Sequence, residues 1–399
     1  MGVLIRKQKG MPALTVMARL SLIGLIVSLS AAFIDTIWAV YMDSFVNSEV
    51  IVGFISAGLT LIAFFSYFFF VPLIEKTNKS KIFLYSLFLF AVTYLLFAIN
   101  KNFYIFIVLA AILTLLYTFR ITSFGIIIRD KSSKSQLSRN EGLVYTFVNF
   151  AWVVGPLIAG YLSEMYGISL IFVLSSIFMF IAFFFSKFSN IKDANIKKKI
   201  DKKIVKNFKD FFKDKQRVIA YILSGGVNVW WILIYLFMPM HIIRSGLPVS
   251  WLGYFLFAVA IPLVLTECKF ANMAGKVGFK KIFKTGFILV SIISLICFFV
   301  GNLYVILGLL VLASFGMAML EPTTEAYFFD ILKKKEDECR FYGPYNTTID
   351  VHSFIAKICA SFVLIFFPFK LLFLMFSGFM FAFFLLSHKV KDIIEKDRK

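Results

Sequence analysis

A 399-residue chain that is 60% apolar, 16% charged and carries 52 Phe has more apolar surface than a water-soluble core can hide. Its mean hydropathy of +0.87 and nearly charge-free runs such as 59–73 and 362–384 exclude a soluble enzyme and indicate an all-α polytopic membrane protein. The net charge of +20 would suggest an acidic partner in a soluble protein, but membrane chains collect Lys and Arg on one side, so it has to be read against topology.

Apolar segments long enough to cross ~30 Å of hydrocarbon, about 20 helical residues, recur twelve times. They fall near 20–42, 50–73, 82–100, 103–128, 142–163, 168–187, 218–243, 250–268, 282–301, 303–329, 345–368 and 369–388. Continuous apolar runs select helices, since barrel strands would alternate every second residue. The start, MGVLIRKQKG before an apolar stretch through Ser28–Ala32, has the outline of a secretory leader. That run continues to Val40 and contains Asp35, so an uncleaved first span is expected.

With the start placed in the cytoplasm, only Lys101, Arg244 and Lys370 of the 42 Lys and Arg fall in opposite-side connections, and Arg120 and Lys357 fall inside spans. This asymmetry predicts a multi-pass cell (plasma or inner) membrane protein with both termini cytoplasmic. It also accounts for the net charge without nucleic acid. Residues 187–217 hold twelve Lys/Arg and four Asp and divide the chain into a six-span unit at 1–186 and another at 218–399. Within this linker Ile196, Ile200, Ile204, Phe208, Phe211 and Phe212 recur at helical spacing, which predicts an amphipathic helix on the anionic inner leaflet of the lipid bilayer.

The two units repeat. Val52–Gly53 matches Leu252–Gly253, Lys76 matches Lys276, Lys81–Phe83 matches Lys281–Phe283 and Asp130 matches Asp330, all at an offset of 200. Parallel repeats of this kind mark a large transporter class. The four Cys are scattered without metal-ligand spacing, and His241 and His352 stand alone, so neither a metal nor another cofactor is expected. No phosphate-binding loop appears, which leaves an ion gradient, or the substrate's own, as the energy source.

Four places carry a family resemblance. The fifth span reads Gly155-Pro156-Leu157-Ile158-Ala159-Gly160, close to a Gly-Pro-x-x-Gly-Gly element, in which small residues let the helix approach its neighbour in the other half and Pro allows bending. Glu75-Lys76-Thr77-Asn78-Lys79-Ser80-Lys81 is similar to a Gly-x-x-x-Asp-Arg-x-Gly-Arg-Arg loop between spans two and three, and Gly275–Lys281 keeps its Gly and bases without the acid. Arg120 precedes Gly125 in the fourth span, and Asp35 lies within the first. On these residues, over nearly the whole length, the chain resembles the major facilitator superfamily, above all its drug:proton antiporter branch of twelve-span exporters.

The resemblance implies the major facilitator fold, with two six-helix pseudo-repeats. It assigns latch and gating roles to Glu75, Lys76, Asp130 as partner of Lys76, Lys276, Gly155, Pro156 and Gly160, and it puts spans one, four, seven and ten around a central cavity. Helical spacing on those spans offers Ser28, Asp35 and Trp38, then Thr114, Tyr117 and Arg120, then Asn228, Trp231, Tyr235 and Met238, then Met317, Glu321 and Thr324. Asp35 lies ~22 Å and Arg120 ~12 Å from the cytoplasmic ends of their helices, which leaves open a direct pair or a shared aqueous cavity. Lys357 stands where the repeat would place Pro156, and either touches substrate or braces the two halves.

The expected function is secondary active transport by alternating access: proton-coupled export of small lipophilic or amphipathic molecules by a monomer that is not an enzyme. Asp35 is the leading proton-coupled carboxylate, with Arg120 tuning it and Glu321 and Glu325, one turn apart, as further candidates. The alternatives are a proton symporter or uniporter for a sugar, amino acid or organic anion, and a non-transporting membrane sensor or lipid-modifying protein on a transporter scaffold.

Overall fold

The computed structural model describes residues 15–132, 137–189, 204–332, 335–391 and 393. Among these every regular element is helical. The first half comprises α1 (Val16–Val46), α2 (Glu49–Lys76), α3 (Lys79–Ile99), α4 (Phe103–Lys131), α5 (Leu137–Tyr166) and α6 (Ile168–Phe188). A short α7 (Ile204–Phe211) leads into the second half. There α8 (Lys215–Ile232), a π-helical turn (Leu233–Phe237) and α9 (Met238–Arg244) make one span. It is followed by α10 (Ser250–Val277), α11 (Phe279–Phe299), α12 (Leu303–Asp330), α13 (Lys335–Asn346) running into α14 (Thr348–Phe366), and α15 (Lys370–Ser387). Twelve spans are long and apolar enough to cross a membrane. Phe69, Phe188 and Phe366 lie on the perimeter, each at least 74% exposed, which a lipid solvent tolerates and water would not.

Helix starts follow capping chemistry. Asn102 accepts from the backbone N–H of Tyr104 and Ile105, and Asn302, 200 residues on, accepts from Tyr304 and Val305. The repeat extends to packing: Ser176 Oγ donates to the Ala91 carbonyl between α6 and α3 at 2.7 Å, and Ser377 Oγ donates to the Ser291 carbonyl between α15 and α11 at 2.8 Å. The π-helical turn has a local cause. Pro239 lacks an N–H and its ring crowds the carbonyl four residues earlier, so the chain widens there, with the Met238 N–H reaching back to Leu233.

Two helix pairs make the most extensive contacts between the halves, α5 with α10 and α2 with α14, and α1 also meets α9 and the π-helical turn. In the first, a Cβ on Gly160 would lie 2.7 Å from Gly253 Cα, and one on Gly253 would lie 2.5 Å from the Pro156 carbonyl oxygen, so the backbones touch. Gly155 is different: it faces Ala32 of α1 within its own half. In the second pair Gly53 sits against the Ser361 hydroxyl. Beyond α9, Arg244 forms a two-pronged pair with Asp43 of α1 (2.7 and 3.2 Å) and approaches Glu49 of α2 at 3.6 Å. This closes the halves at the end opposite α7.

Three expectations need correction. Segment 75–81 is not a loop: α2 runs through Lys76 and only Thr77 and Asn78 separate it from α3, while Gly278, at φ 89°, alone separates α10 from α11. Amphipathic spacing in the linker is present, and part of its apolar face is turned to protein, while Phe212 is 45% exposed. Phe211 is fully buried against Tyr221, Phe328 and Phe341, and Phe208 meets Phe68 of α2. Asn207 and Asp210 bind Arg340, and Arg217 donates to the carbonyls of Asp210 and Phe211. The helix therefore docks on protein; Ile196 and Ile200 lie outside the described residues. Finally, Gly155 serves the α1–α5 contact within one half, and the approach to the other half rests on Gly160.

Gly253→Val puts a side chain into the Pro156 carbonyl, so detergent-solubilised protein should lose about 1–3 kcal/mol of stability, read as a lowered Tm. The linker gives a pH-dependent outcome. The hydrogen bond from Lys213, with Arg340 nearby, holds the Asp210 carboxyl below its ordinary 3.8. A depressed carboxylate stabilises above its ordinary value and loses that contribution as pH falls through the folded-state value. Linker proteolysis should therefore stay slow down to about pH 4 and accelerate below it, and Asp210→Asn should be cleaved faster already at neutral pH.

Candidate functional site

A charge inside a span costs roughly 2.5–3.5 kcal/mol on insertion scales unless it meets a partner or water. A cavity of about 590 Å³ receives four such charges: Asp35 from α1, Arg120 from α4, and Asp350 and Lys357 from α14. Its remaining walls come from α2, α3 and α5, and it extends to Ile128 and Glu141, within about a turn of the helix ends on the α7 side. The α5–α10 and Asp43–Arg244 contacts seal the far side, so the cavity belongs to a state closed at one end.

Spacing explains who meets whom. Trp38 follows Asp35 by three residues and Tyr117 precedes Arg120 by three, so each aromatic shares its charge's helix face. Asp35 is exposed although it lies in mid-helix, because its surface opens into the cavity. Arg120 is buried, with its Cζ 5.2 Å from the Phe90 ring and 5.1 Å from the Tyr117 ring. Asp35 and Arg120 are within electrostatic reach, yet no ion pair forms between them. Lys357 is tied across the halves: its Nζ donates to Thr60 Oγ1 at 2.7 Å and to the Ser56 carbonyl at 3.3 Å, both on α2.

Of the residues selected from sequence, Asp35, Trp38, Tyr117, Arg120 and Lys357, with Ser28 and Thr114, share this cavity. Asn228, Trp231, Tyr235, Met317 and Glu321 are not among its walls. Asn228 donates to the Ser224 carbonyl of its own helix, Met317 is fully buried, and Trp231, Tyr235 and Trp152 form an aromatic row beside the cavity. Glu321 is set in the second half with Oε2 unpartnered, and Glu325 accepts from Tyr342 at 3.0 Å. Lys276 is exposed at the end of α10. The side chains of Glu75 and Lys76 lie outside the described residues, and with them the contact expected for Asp130.

Sequence reasoning missed Thr60, Phe90, Trp152 and the Asp43–Arg244–Glu49 cluster. The cluster carried a signal: Arg244 is a rare base on its side, and Asp43 and Glu49 stand at the paired helix ends facing it. His352, expected as a satisfied lone histidine, packs its ring on Gly225 and hydrogen-bonds Thr348.

The family model of the Major Facilitator Superfamily matches residues 20–268 and 261–392. An uncharacterized MFS-type transporter of Methanocaldococcus jannaschii is 24% identical over 234 residues, 58% of this chain and 60% of the relative, so the alignment spans about three fifths of that protein. Among solved structures, the nucleoside transporter NupG superposes with a TM-score of 0.76 at 12% identity, covering 95% of this chain and 100% of that one. A POT family transporter in complex with 5-aminolevulinic acid gives 0.79 at 9% identity, covering 94% and 95%. At such identities these two establish the fold alone.

The Arg244 pair predicts how firmly the far side is shut. Partly exposed pairs contribute up to about 1 kcal/mol, roughly a fivefold change in population. Arg244→Ala should raise the far-side labelling rate of a cysteine introduced at Trp38 by about that factor, measured with an impermeant maleimide in a variant lacking the native cysteines.

Proposed function

The chain belongs to the Major Facilitator Superfamily, and on that footing we propose that it couples proton movement to transport of small amphipathic molecules by alternating access, with Asp35 as the proton-carrying carboxylate. The observation that carries this reading is the placement of Asp35. It is a mid-helix carboxylate that faces a one-sided cavity, with no hydrogen bond or ion pair to a described residue. A group so placed can take up a proton or a cationic ligand without breaking a structural contact, and the same group meets the other side when the halves exchange contacts. Arg120 lines the same cavity and lies within electrostatic reach of Asp35.

The positive-inside asymmetry supports a cytoplasmic α7 side, which makes the cavity cytoplasm-facing. The Gly155–Gly160 element supports the antiporter branch, with substrate leaving the cell as protons enter. Aromatic walls from Trp38, Phe90 and Trp152 suit an amphipathic body. Neither Glu321 nor Glu325 is among the walls of this cavity, which favours Asp35 over them, although Glu325 lies in electrostatic reach of Glu141 and Tyr145 at its mouth. A second reading, proton symport of an organic anion, is favoured by one observation: the Arg120 guanidinium has no acceptor among the described residues. The names of the structural neighbours span nucleosides and peptides, so the fold does not choose a substrate.

Asp35→Asn in proteoliposomes should abolish pH-gradient-driven transport of a substrate found by thermal-stabilisation screening, while leaving Tm within a few degrees of the parent. Unchanged proton coupling in that variant would remove Asp35 from the mechanism. The sign of the gradient that drives accumulation separates exchange from symport.

A further inference from the structure

Asp35 and Arg120 are oppositely charged, share the cavity, and are each without a protein partner among the described residues. Arg120 is 8% exposed, its Nε has no acceptor, and two ring faces are its close neighbours. Of the other charges lining the cavity, Lys357 is tied by hydrogen bonds to Thr60 and Ser56, while Asp350 and Glu141 have bases, Lys357 and Arg129, within electrostatic reach.

We propose that the transported molecule is a zwitterion whose anionic group seats on Arg120 and whose cationic group seats on Asp35, with an apolar body against Trp38 and Tyr117. The proposal rests on the reading of Asp35 as the coupling carboxylate. The reasoning is charge complementarity in a space of low dielectric. With Asp35 ionised, an anion alone would satisfy Arg120 but face the Asp35 carboxylate, and a cation alone would leave the guanidinium unpaired; each residual charge is costly. A molecule carrying both charges compensates both groups without adding net charge. Arg rather than Lys at position 120 fits a planar carboxylate or a phosphonate, which its fork can bind through two hydrogen bonds. About 590 Å³ holds an amino-acid derivative of moderate size.

Proton exchange follows from the same seat. The cationic group and the proton compete for one carboxylate, so binding displaces the proton. The other titratable groups facing Asp35 are Tyr94, Tyr117, Arg120, Tyr235 and Lys357, with Asp350 and Glu141 farther along the cavity. Of these, Lys357 is fixed to α2 by its hydrogen bonds and the tyrosines are neutral acids, which leaves Asp35 as the carboxylate facing a ligand cation there.

The test uses purified full-length protein and binding measured by isothermal titration calorimetry, with two probe sets: phenylalanine and naphthylalanine, each beside its N-acetyl derivative (anion only) and its methyl ester (cation only). The zwitterions should bind at least about tenfold tighter than either singly charged form. Arg120→Gln should erase the advantage over the ester, Arg120→Lys should keep part of it, and Asp35→Asn should erase the advantage over the N-acetyl form. Release of about one proton per bound zwitterion, measured with a pH indicator across the range in which the free protein holds its proton, should vanish in Asp35→Asn. Equal binding of the three forms, tighter binding of a singly charged form, no binding of either zwitterion, or an Arg120→Gln variant with parent-like selectivity would each overturn the zwitterion seat and leave the coupling reading to its own test. Zwitterion selectivity without proton release would support the seat and refute the coupling.

Discussion

The organisation of this molecule depends on the expense of leaving a charge unpaired inside a membrane-spanning bundle. Asp35, Arg120, Asp350 and Lys357 are spread over α1, α4 and α14, which are distant in sequence, yet all four open into one cavity. No span bearing them could face lipid on that side. The bundle has to close around a polar interior, and Trp38 and Tyr117, one turn from Asp35 and Arg120, contribute to its apolar walls. Fold and site are therefore one solution to one problem: the residues costliest to bury decide which faces turn inward, and the Phe-rich remainder faces outward.

The two halves meet through contacts of different kinds. Along α5–α10 there is backbone proximity made possible by Gly160 and Gly253, while along α2–α14 Gly53 admits the Ser361 side chain and Phe54 meets Phe362. Lys357 adds a polar tie to Thr60, and at the far end Arg244 grips Asp43. Smooth glycine contacts let helices pivot, while the ion pair and the lysine tie are discrete and can be traded for other partners. α7 adds a third connection, since Phe211 anchors it to the second half while Phe208 touches the first.

Much of this was legible in the sequence. Twelve spans follow from hydropathy, the repeat from a 200-residue offset, and Asp35, Arg120 and Lys357 from being ionisable residues where none is cheap. What was not legible depends on the third dimension. Helical spacing nominated Asn228, Trp231, Tyr235 and Met317 as cavity walls, but the cavity is walled by first-half helices and α14, and Tyr235 lies in the turn that Pro239 widens, where spacing rules fail. The amphipathic period of the linker was visible, yet period alone cannot tell a lipid face from a protein face. Arg340 and Arg217, which choose protein by binding Asp210, are remote from or at the edge of that stretch. Helix ends at Lys76 and Val277 ran past the apolar segments because basic residues propagate a helix as well as apolar ones do.

The contrast between Arg120 and Lys357 ties these threads together. Both are cations inside spans, and a count of charges treats them alike. Lys357, a point charge on a flexible stem, is satisfied by a hydroxyl and a carbonyl of the opposite half, so its charge is spent on holding the halves together. Arg120 has a rigid fork that a single hydroxyl cannot satisfy, and its ring neighbours stabilise the plane of the guanidinium while leaving its edge without an acceptor. A bundle that needed only neutrality could have brought Asp35 into contact with it. That the two charges instead line one cavity without pairing keeps both available to a molecule that enters there.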